Sequence, residues 1–543
     1  VRAVTLSRWV NLPFPMARSF EFHARTVSVL TFLSRLTGLA RDAAMSRVFG
    51  VGVITDAFSF AFMVPNLFRR LFGEGALTSS FLPVYARLHE ENPPLARALA
   101  RMVLSRIAVF LAALCILGEI ILWIAWPSGG QESVLLSARL VAVLLPYMPL
   151  ICLVALMGAV LQVHHRFGPT AAAPIILNVL LVITIAGLAP PVMRRMGFNE
   201  IEPNIHISIV ASSVLLAGAL QWAWSAWALR AIDLRSGVVS AESRQKFKQV
   251  ITQAIPMALG LGVLQVNTFI DGLIASYPTV IGPTIFGIAY PLEKGSMASL
   301  SFAQRLYEFP LGVFGIAIAT AIFPQLSRQA ADVDAFRASI VRALRLVVFI
   351  GFPASIALMI MRVPLTAAVF QGDSFSAEDT QRIAIILLAY APAIWAYSGN
   401  HLLTRAFYAR GESMTPVIVA ASMVVLNFIL NITLIWTPLK TSGLALSTAI
   451  CAILQMIILE RLLARRIGSL VTLEVRASWM RTIIASVAMG IALAGAMLFA
   501  PENANWWMRI GVVLALVAIG ATAYFIAAKA LRMPEVRWAL GKQ

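Results

Sequence analysis

The residues able to do chemistry are charged side chains set inside stretches that are otherwise apolar. One stretch reads TFLSRLTGLARDAAM, from Thr31. At about 100° per residue, Thr31, Ser34, Arg35, Gly38, Arg41 and Asp42 share a helical arc of about 120°, and Leu, Phe and Ala fill the opposite face. A second stretch, TDAFSFAFMVPNLFRRLFGEGALTSSFLP, gathers Asp56, Ser59, Asn66, Arg70 and Glu74 on one side, with Arg69 at its edge. A third carries Lys294, Ser301, Arg305, Glu308 and Gly312, and Lys294 and Arg305 are expected on one helix face about 16 Å apart. Guanidinium forks suit phosphate and carboxylate oxygens. Arg35, Arg69 and Arg305, from three segments with fewer deep carboxylates than they need, therefore imply an anion-binding cavity. The alternative for Arg41/Asp42, Arg70/Glu74 and Arg305/Glu308 is internal ion pairing that locks helices together. Asp271, in VLQVNTFIDGLIAS, is a lone acid that either binds a cation or pairs with an arginine. Glu119 is expected near the outer surface without a special role.

Other chemistry is excluded by what the sequence lacks. No phosphate-cradling Gly-rich loop ends in Lys-Ser/Thr, and no His-Glu-x-x-His occurs. The six histidines are scattered, and His164–His165 reads as a loop pair. No external segment is long enough to hold an enzyme site, so no catalytic activity and no cofactor are expected, sodium aside.

Elements of one kind must position these residues. The chain has 543 residues, 59% hydrophobic and 13% charged, with mean hydropathy +0.83. Soluble domains carry about 25% charged residues, and a chain this apolar cannot cover a globular surface. A bilayer span needs about 20 apolar residues. About fourteen such stretches fit, at 27–49, 56–87, 101–126, 135–163, 169–190, 205–231, 249–276, 288–326, 338–362, 380–409, 414–437, 441–465, 478–500 and 506–531. The fold class is therefore an all-α polytopic membrane protein. Pro65, Gly73 and Gly75 should bend or break the second span, and broken helices in a membrane need protein or a watery cavity beside them.

The net charge of +18 fits basic cytoplasmic loops rather than nucleic-acid binding. Basic and uncharged loops alternate in a way that puts both termini in the cytoplasm, with Arg194–Arg195 and Lys440 as exceptions on outside loops. Cys115, Cys152 and Cys451 lie in apolar stretches and read as packing residues. No cleavable signal peptide is expected in the first 25 residues. Gln162-x4-Phe167-x-Pro169 with Asn178 is echoed by Tyr408-x2-Gly411-x4-Pro416 with Asn427, at the same place in a six-span block. A parallel repeat of six-helix lobes is a transporter signature. The expected division is a cytoplasmic tail at 1–26, an N-lobe at 27–235, a C-lobe at 236–467, and two further spans with a cytoplasmic tail at 468–543.

Three blocks carry a family resemblance. Ser34-Arg35-x2-Gly38-x2-Arg41-Asp42 and Thr55-Asp56-Ala57-Phe58 lead to Pro65-Asn66-x2-Arg69-Arg70-x-Phe72-x-Glu74-Gly75-Ala76. With Gln304-Arg305-Leu306-x-Glu308-Phe309-Pro310-x-Gly312-Val313, they resemble the MurJ (MviN) lipid II flippases of the multidrug/oligosaccharidyl-lipid/polysaccharide exporter superfamily. The resemblance implies transfer of lipid II, the undecaprenyl-diphosphate-linked peptidoglycan precursor, from the inner to the outer leaflet of a bacterial inner membrane. It implies substrate-binding roles for Arg35, Arg41, Arg69 and Arg305, and an important role for Asp56; Arg70 and Lys294 join them from the stripes above. Membrane lipids and cell-wall synthesis proteins are the implied partners, and the last two spans resemble a pair that forms a groove for the lipid tail.

Some family members hold sodium in the second lobe. Asp271 and Asn427 match that site, Asn431 stands where an Asp is expected, and Ser447 falls near a hydroxyl position. Gln304 replaces an acid, which should leave Arg305 less neutralised. The competing reading is a flippase for another polyprenyl-diphosphate-linked oligosaccharide. A multidrug exporter would want acids facing cations, a glycosyltransferase would want a carboxylate on a substantial outside loop, and a scaffold would not need three deep arginines.

Overall fold

The computed structural model describes residues 14–73, 75–126, 131–196, 200–501 and 504–539. Glu74, one of the expected stripe residues, lies outside them. Among the described residues, ten helical stretches are long and apolar enough to cross a membrane. They correspond to the third to sixth and ninth to fourteenth expected spans. The remaining four expected spans fall on long helical stretches around 14–49, 53–91, 241–280 and 296–329. These are the segments that hold the charged stripes and Asp271.

The chain divides into two compact units. Unit 1 comprises Val1–Arg41, Val64–Ala125 and Ala142–Ala258. It holds most of α1 (Phe14–Phe49) and the end of α2 (Val53–Phe68). The chain then widens through Arg69–Gly73 into α3 (Ala76–Glu91), so the second expected span is broken where Gly73 and Gly75 suggested. A Cβ on Gly73 would stand 2.9 Å from the Ala155 Cβ, so the break packs tightly. The next helix, α4 (Pro93–Ile124), starts for local reasons: the Asn92 side chain accepts the Leu95 N–H at 3.2 Å, and Pro93 supplies a preset φ at the first helical position. Then follow α5 (Glu132–Leu144), whose end lies in this unit, α6 (Tyr147–Val163), α7 (Gly168–Ile183), the short α8 (Ala189–Arg195) and α9 (Pro203–Leu229). Arg194 and Arg195 occupy the last turn of α8, where they face the carbonyl end of its dipole; this accounts locally for one exception to the loop-charge pattern. Packing rather than water exclusion drives association in lipid, and small residues allow it. A Cβ on Gly218 would lie 2.6 Å from Cδ2 of the buried Tyr147.

Unit 2 comprises Asp42–Met63, Trp126–Val141 and Leu259–Gln543. Unit 2 therefore resumes at Leu259, within α10 (Ala241–Val280). It also takes the end of α1, the start of α2 and the start of α5 out of the N-terminal half. The cause is a set of long-range bonds inside unit 2, described below, that tie residues 42–56 to the second half of the chain. After α10 comes a hairpin of β1 (Thr284–Ile285) and β2 (Ile288–Ala289). The eighth expected span therefore starts later than 288, at α11 (Ser296–Pro310). Phe286, Gly287 and Gly295 have φ of 48°, 80° and 92°, a left-handed geometry that ends one element and begins the next. Lys294 precedes the helix and does not share its face with Arg305, which corrects the expected stripe.

The rest of unit 2 runs through α12 (Ile316–Gln329), α13 (Val333–Phe370), α14 (Ala377–Tyr390), α15 (Ile394–Ala409), α16 (Met414–Leu434) and α17 (Thr441–Ile467). Ser376 and Asp379 form a reciprocal capping box at the start of α14. The last helices are α18 (Leu473–Met497), α19 (Trp506–Ala530) and α20 (Glu535–Ala539). Met361 of α13, Met489 and Leu493 of α18 and Leu516 of α19 are buried together, and the Tyr524 hydroxyl donates to the Phe349 carbonyl at 2.6 Å. The two final spans are thus anchored to the thirteenth helix. Lys440, the other exception to the loop-charge pattern, pairs with Glu293 at 2.8 Å.

Candidate functional site

In unit 1 the arginines sit on the first two spans. Phe32, Leu33 and Leu36 are exposed on the apolar face of α1, as a lipid-facing surface should be. On the polar face, Arg35 and Arg41 are half-buried. The Arg41 Nη1 donates to Asn178 Oδ1 at 3.0 Å. The Asn178 amide in turn donates to the Ser34 carbonyl at 3.2 Å and to the Thr37 hydroxyl at 3.4 Å. A Cβ on Gly38 would stand in ordinary contact with the Asn178 amide, at 3.4 Å, so the two helices run close together here. Asn178 of α7 therefore fixes both the register of α1 and the direction of the Arg41 guanidinium. Arg69 donates from Nε to Asn66 Oδ1 at 3.2 Å, three residues back on the same helical surface, while Arg70 is exposed.

In unit 2 the centre is Arg305. Its Nε donates to Asp42 Oδ2 at 2.5 Å and its Nη1 to Glu308 Oε2 at 3.2 Å. Two carboxylates thus meet one guanidinium, and the expectation that Gln304 leaves Arg305 less neutralised is corrected. Gln304 itself turns to the Tyr390 hydroxyl at 3.2 Å. Asp42 pairs here with a residue far along the chain, a partner that spacing on α1 did not suggest. The Arg305 side chain remains 41% exposed, so the pair orients a cation without sealing it.

Asp56 is fully buried, at 0% exposure. Its Oδ2 accepts the Gly295 N–H at 2.6 Å and the Thr279 hydroxyl at 2.9 Å, and its Oδ1 accepts the Ala298 N–H at 2.8 Å. It sits on the positive end of α11, where backbone N–H groups have no helical partner. The structure places it as the anchor of the helix that carries Arg305. Lys294 lies apart, donating to Ser133 Oγ at 3.3 Å and to the Gln131 side chain at 3.5 Å.

The four residues of the expected sodium site do come together. Asn431 Nδ2 donates to Asp271 Oδ1 at 2.5 Å and to Asn427 Oδ1 at 2.9 Å, and the Ser447 hydroxyl donates to Asn431 Oδ1. Two members were not expected: Asn267, whose amide donates to Asp271 Oδ2 at 3.2 Å, and Thr448, which receives the Asn427 amide at 3.5 Å. Asn267 stands one helical turn before Asp271, a spacing visible in the sequence. Asn178 and Asn427, the echoed residues of the repeat, each anchor a cross-helix polar network in their own unit.

A family model described as lipid II flippase MurJ matches residues 45–517. The chain belongs to the MurJ family. Among MurJ relatives, the probable lipid II flippase MurJ of Vibrio cholerae is 29% identical over 92% of this chain and 93% of its own length. The lipid II flippase MurJ of Burkholderia cenocepacia is 28% identical over 92% and 95%. In fold, the chain matches a lipid II flippase MurJ in an inward closed conformation with a TM-score of 0.73 at 23% identity, covering 93% of this chain and 98% of that one. It also matches an inward-facing multidrug resistance MATE transporter at 0.63 and 16% identity, covering 80% and 95%. MurJ membership and the helices together make this a multi-pass membrane protein of the transporter class.

Proposed function

We propose that this protein is a lipid II flippase, carrying the undecaprenyl-diphosphate-linked precursor from the inner to the outer leaflet of the bacterial inner membrane. It is a transporter, not a catalyst. The observation that carries the reading is where polarity falls. Arg35 and Arg41 on α1, Arg69 just after α2 and Arg305 on α11 are guanidiniums set within long helical stretches of a chain that has, among its described residues, ten helices apolar enough to cross a membrane. Such guanidiniums belong beside protein or a wet cavity.

In this reading the four arginines form a cationic cavity for the diphosphate and the peptide carboxylates of the headgroup. Guanidiniums replace the water that a phosphate loses on entering the membrane, and the polyprenyl tail stays in lipid. Asn178, Asn66 and the Asp42/Glu308 pair act as positioning groups that aim Arg41, Arg69 and Arg305. Asp56 holds the start of α11 and so sets the height of Arg305. Alternating access of two lobes moves the headgroup, with both termini in the cytoplasm. Drive comes from the membrane potential, worth about 2.3 kcal/mol per charge at 100 mV, or from an ion gradient. Cell-wall synthesis proteins are the natural partners.

The test is complementation. The gene is expressed in a bacterium depleted of its own lipid II flippase, and the lipid II reached by an externally added lipid II-cleaving toxin is measured. Wild type should restore cleavage, and Arg35→Ala, Arg69→Ala or Arg305→Ala should lose it at unchanged membrane abundance. Normal transport by all three variants would end the cationic-cavity reading. No restoration by a well-inserted wild type would shift the substrate to another polyprenyl-diphosphate-linked oligosaccharide.

A further inference from the structure

The cluster on α10, α16 and α17 has the family's sodium positions but not the donor set a sodium ion needs. Hard cations are held by oxygen atoms turned toward one point. Here the centre of the cluster is filled by amide N–H groups. Asp271 Oδ1 accepts Asn431 Nδ2 at 2.5 Å, and Asp271 Oδ2 accepts Asn267 Nδ2 at 3.2 Å. Turning the Asn427 amide over suits its surroundings better, and it then donates to the same Asp271 Oδ1 at 2.9 Å and to Asn267 Oδ1 at 3.1 Å. The acceptor side of Asn431 is also occupied, by the Ser447 hydroxyl. Among the described residues no group of three or more His, Cys, Asp or Glu gathers to hold a metal.

We infer that Asn431 takes the place of the alkali cation in this chain, so that the second unit closes around Asp271 without sodium. The carboxylate is met by N–H dipoles from both α10 and α16, which do what an ion would do: bridge the helices and satisfy the acid. A cation could enter only by breaking the Asn431–Asp271 and Ser447–Asn431 bonds together, since both share the Asn431 amide. Asn431→Asp reverses this logic. Two carboxylates at that distance do not both ionise unaided, and the new acid offers oxygens where the amide offered hydrogens.

The experiment compares wild type and Asn431→Asp, purified in lipid nanodiscs, by thermal unfolding in sodium, potassium and choline chloride at equal ionic strength. Alkaline buffer prevents a shared proton from substituting for the ion. Wild type should unfold at the same temperature in all three salts, and Asn431→Asp should gain a saturable upward shift in sodium alone. A saturable sodium-specific shift in wild type overturns the inference. So does an Asn431→Asp protein that is folded and blind to sodium, because Asn431 would then not be the determinant. If Asn431→Asp does not assemble, radioactive sodium binding to wild-type nanodiscs decides: no retention above a choline-equilibrated control supports the inference, and specific retention overturns it.

Discussion

Asp42 and Arg305 stand 263 residues apart in the chain and 2.5 Å apart in space. The pair joins the end of α1 to the middle of α11, and Glu308 completes it from one turn away. Arg305 thereby keeps a fixed direction while much of its guanidinium stays accessible.

Asp42→Asn keeps the shape of that contact and removes its charge. A charge-assisted hydrogen bond contributes about 1.5–3 kcal/mol, and the partial exposure of Arg305 screens it toward about 1–2 kcal/mol. Thermal unfolding of the purified variant should show a loss of that size. The double variant Asp42→Asn/Arg305→Gln should lose less than the sum of the singles. Strict additivity would mean that the contact does not couple the two residues.

Asp56→Ala orphans two backbone N–H groups and a hydroxyl, each costing about 1–3 kcal/mol when buried. The expected result is poor assembly, read as low membrane abundance and early heat unfolding. Asp56→Asn retains an acceptor oxygen and should fall between wild type and Ala. An Asp56→Ala protein as stable as wild type would remove the anchoring role of this carboxylate.

Acid should loosen one corner of unit 1. The Tyr85 hydroxyl meets His164 Nε2 at 2.9 Å, and the His89 ring lies 4.4 Å from that of His164. Burial first, then the nearby His89, Arg166 and His165, pushes the His164 imidazole below its usual 6.5. A base with a depressed pKa stabilises the fold fully above its unfolded value, and that contribution is lost as pH falls through the lowered one. The melting temperature of wild type should therefore drop below about pH 6.5 more steeply than that of His164→Gln. Parallel pH profiles for the two proteins would show that His164 is not the group responsible.

The C-terminal helix is held by a buried charge. Glu535 has 0% exposure, and it accepts Arg345 Nε at 2.7 Å and the Ser478 hydroxyl at 2.6 Å. The Arg345 and Arg342 guanidiniums also lie 4.8 Å from the centre of the Trp538 ring. Removing one partner of a buried ion pair costs about 3–5 kcal/mol. Glu535→Ala should expose the segment after α19 to limited proteolysis while the rest of the chain stays resistant. Unchanged cleavage would place the hold on α20 elsewhere.

Local features were legible in the sequence. Gly73 and Gly75 marked the break in the second span, and the arginine stripes marked the helices of the candidate site, because each signal lies within a turn or two. The gathering of Asp271, Asn427, Asn431 and Ser447 was legible only through family resemblance. The partners of Asp42 and Asp56 were not legible, since they sit more than 200 residues away and nothing in their immediate neighbours specifies them. Lys294 was misplaced because an apolar run hid a hairpin, and the left-handed turns at Phe286 and Gly287 leave no hydropathy signal. The pairing of Arg305 was misjudged because the nearest position, Gln304, is neutral while the acid that matters comes from α1.

The bonds of Asp56 have a cost in time. Thr279 and Ala298 follow it by 223 and 242 residues. At about 5–20 residues per second of synthesis, their arrival lags by roughly 10–50 s. For that interval a half-made protein holds an acid in its second span with nothing yet made to receive it. The nascent segment must wait near the water interface or beside the insertion machinery and enter its final depth only when α11 emerges. Residues 42–63 would then be among the first of unit 2 to be translated and among the last to settle, and a ribosome stalled before residue 295 would leave an intermediate primed for degradation.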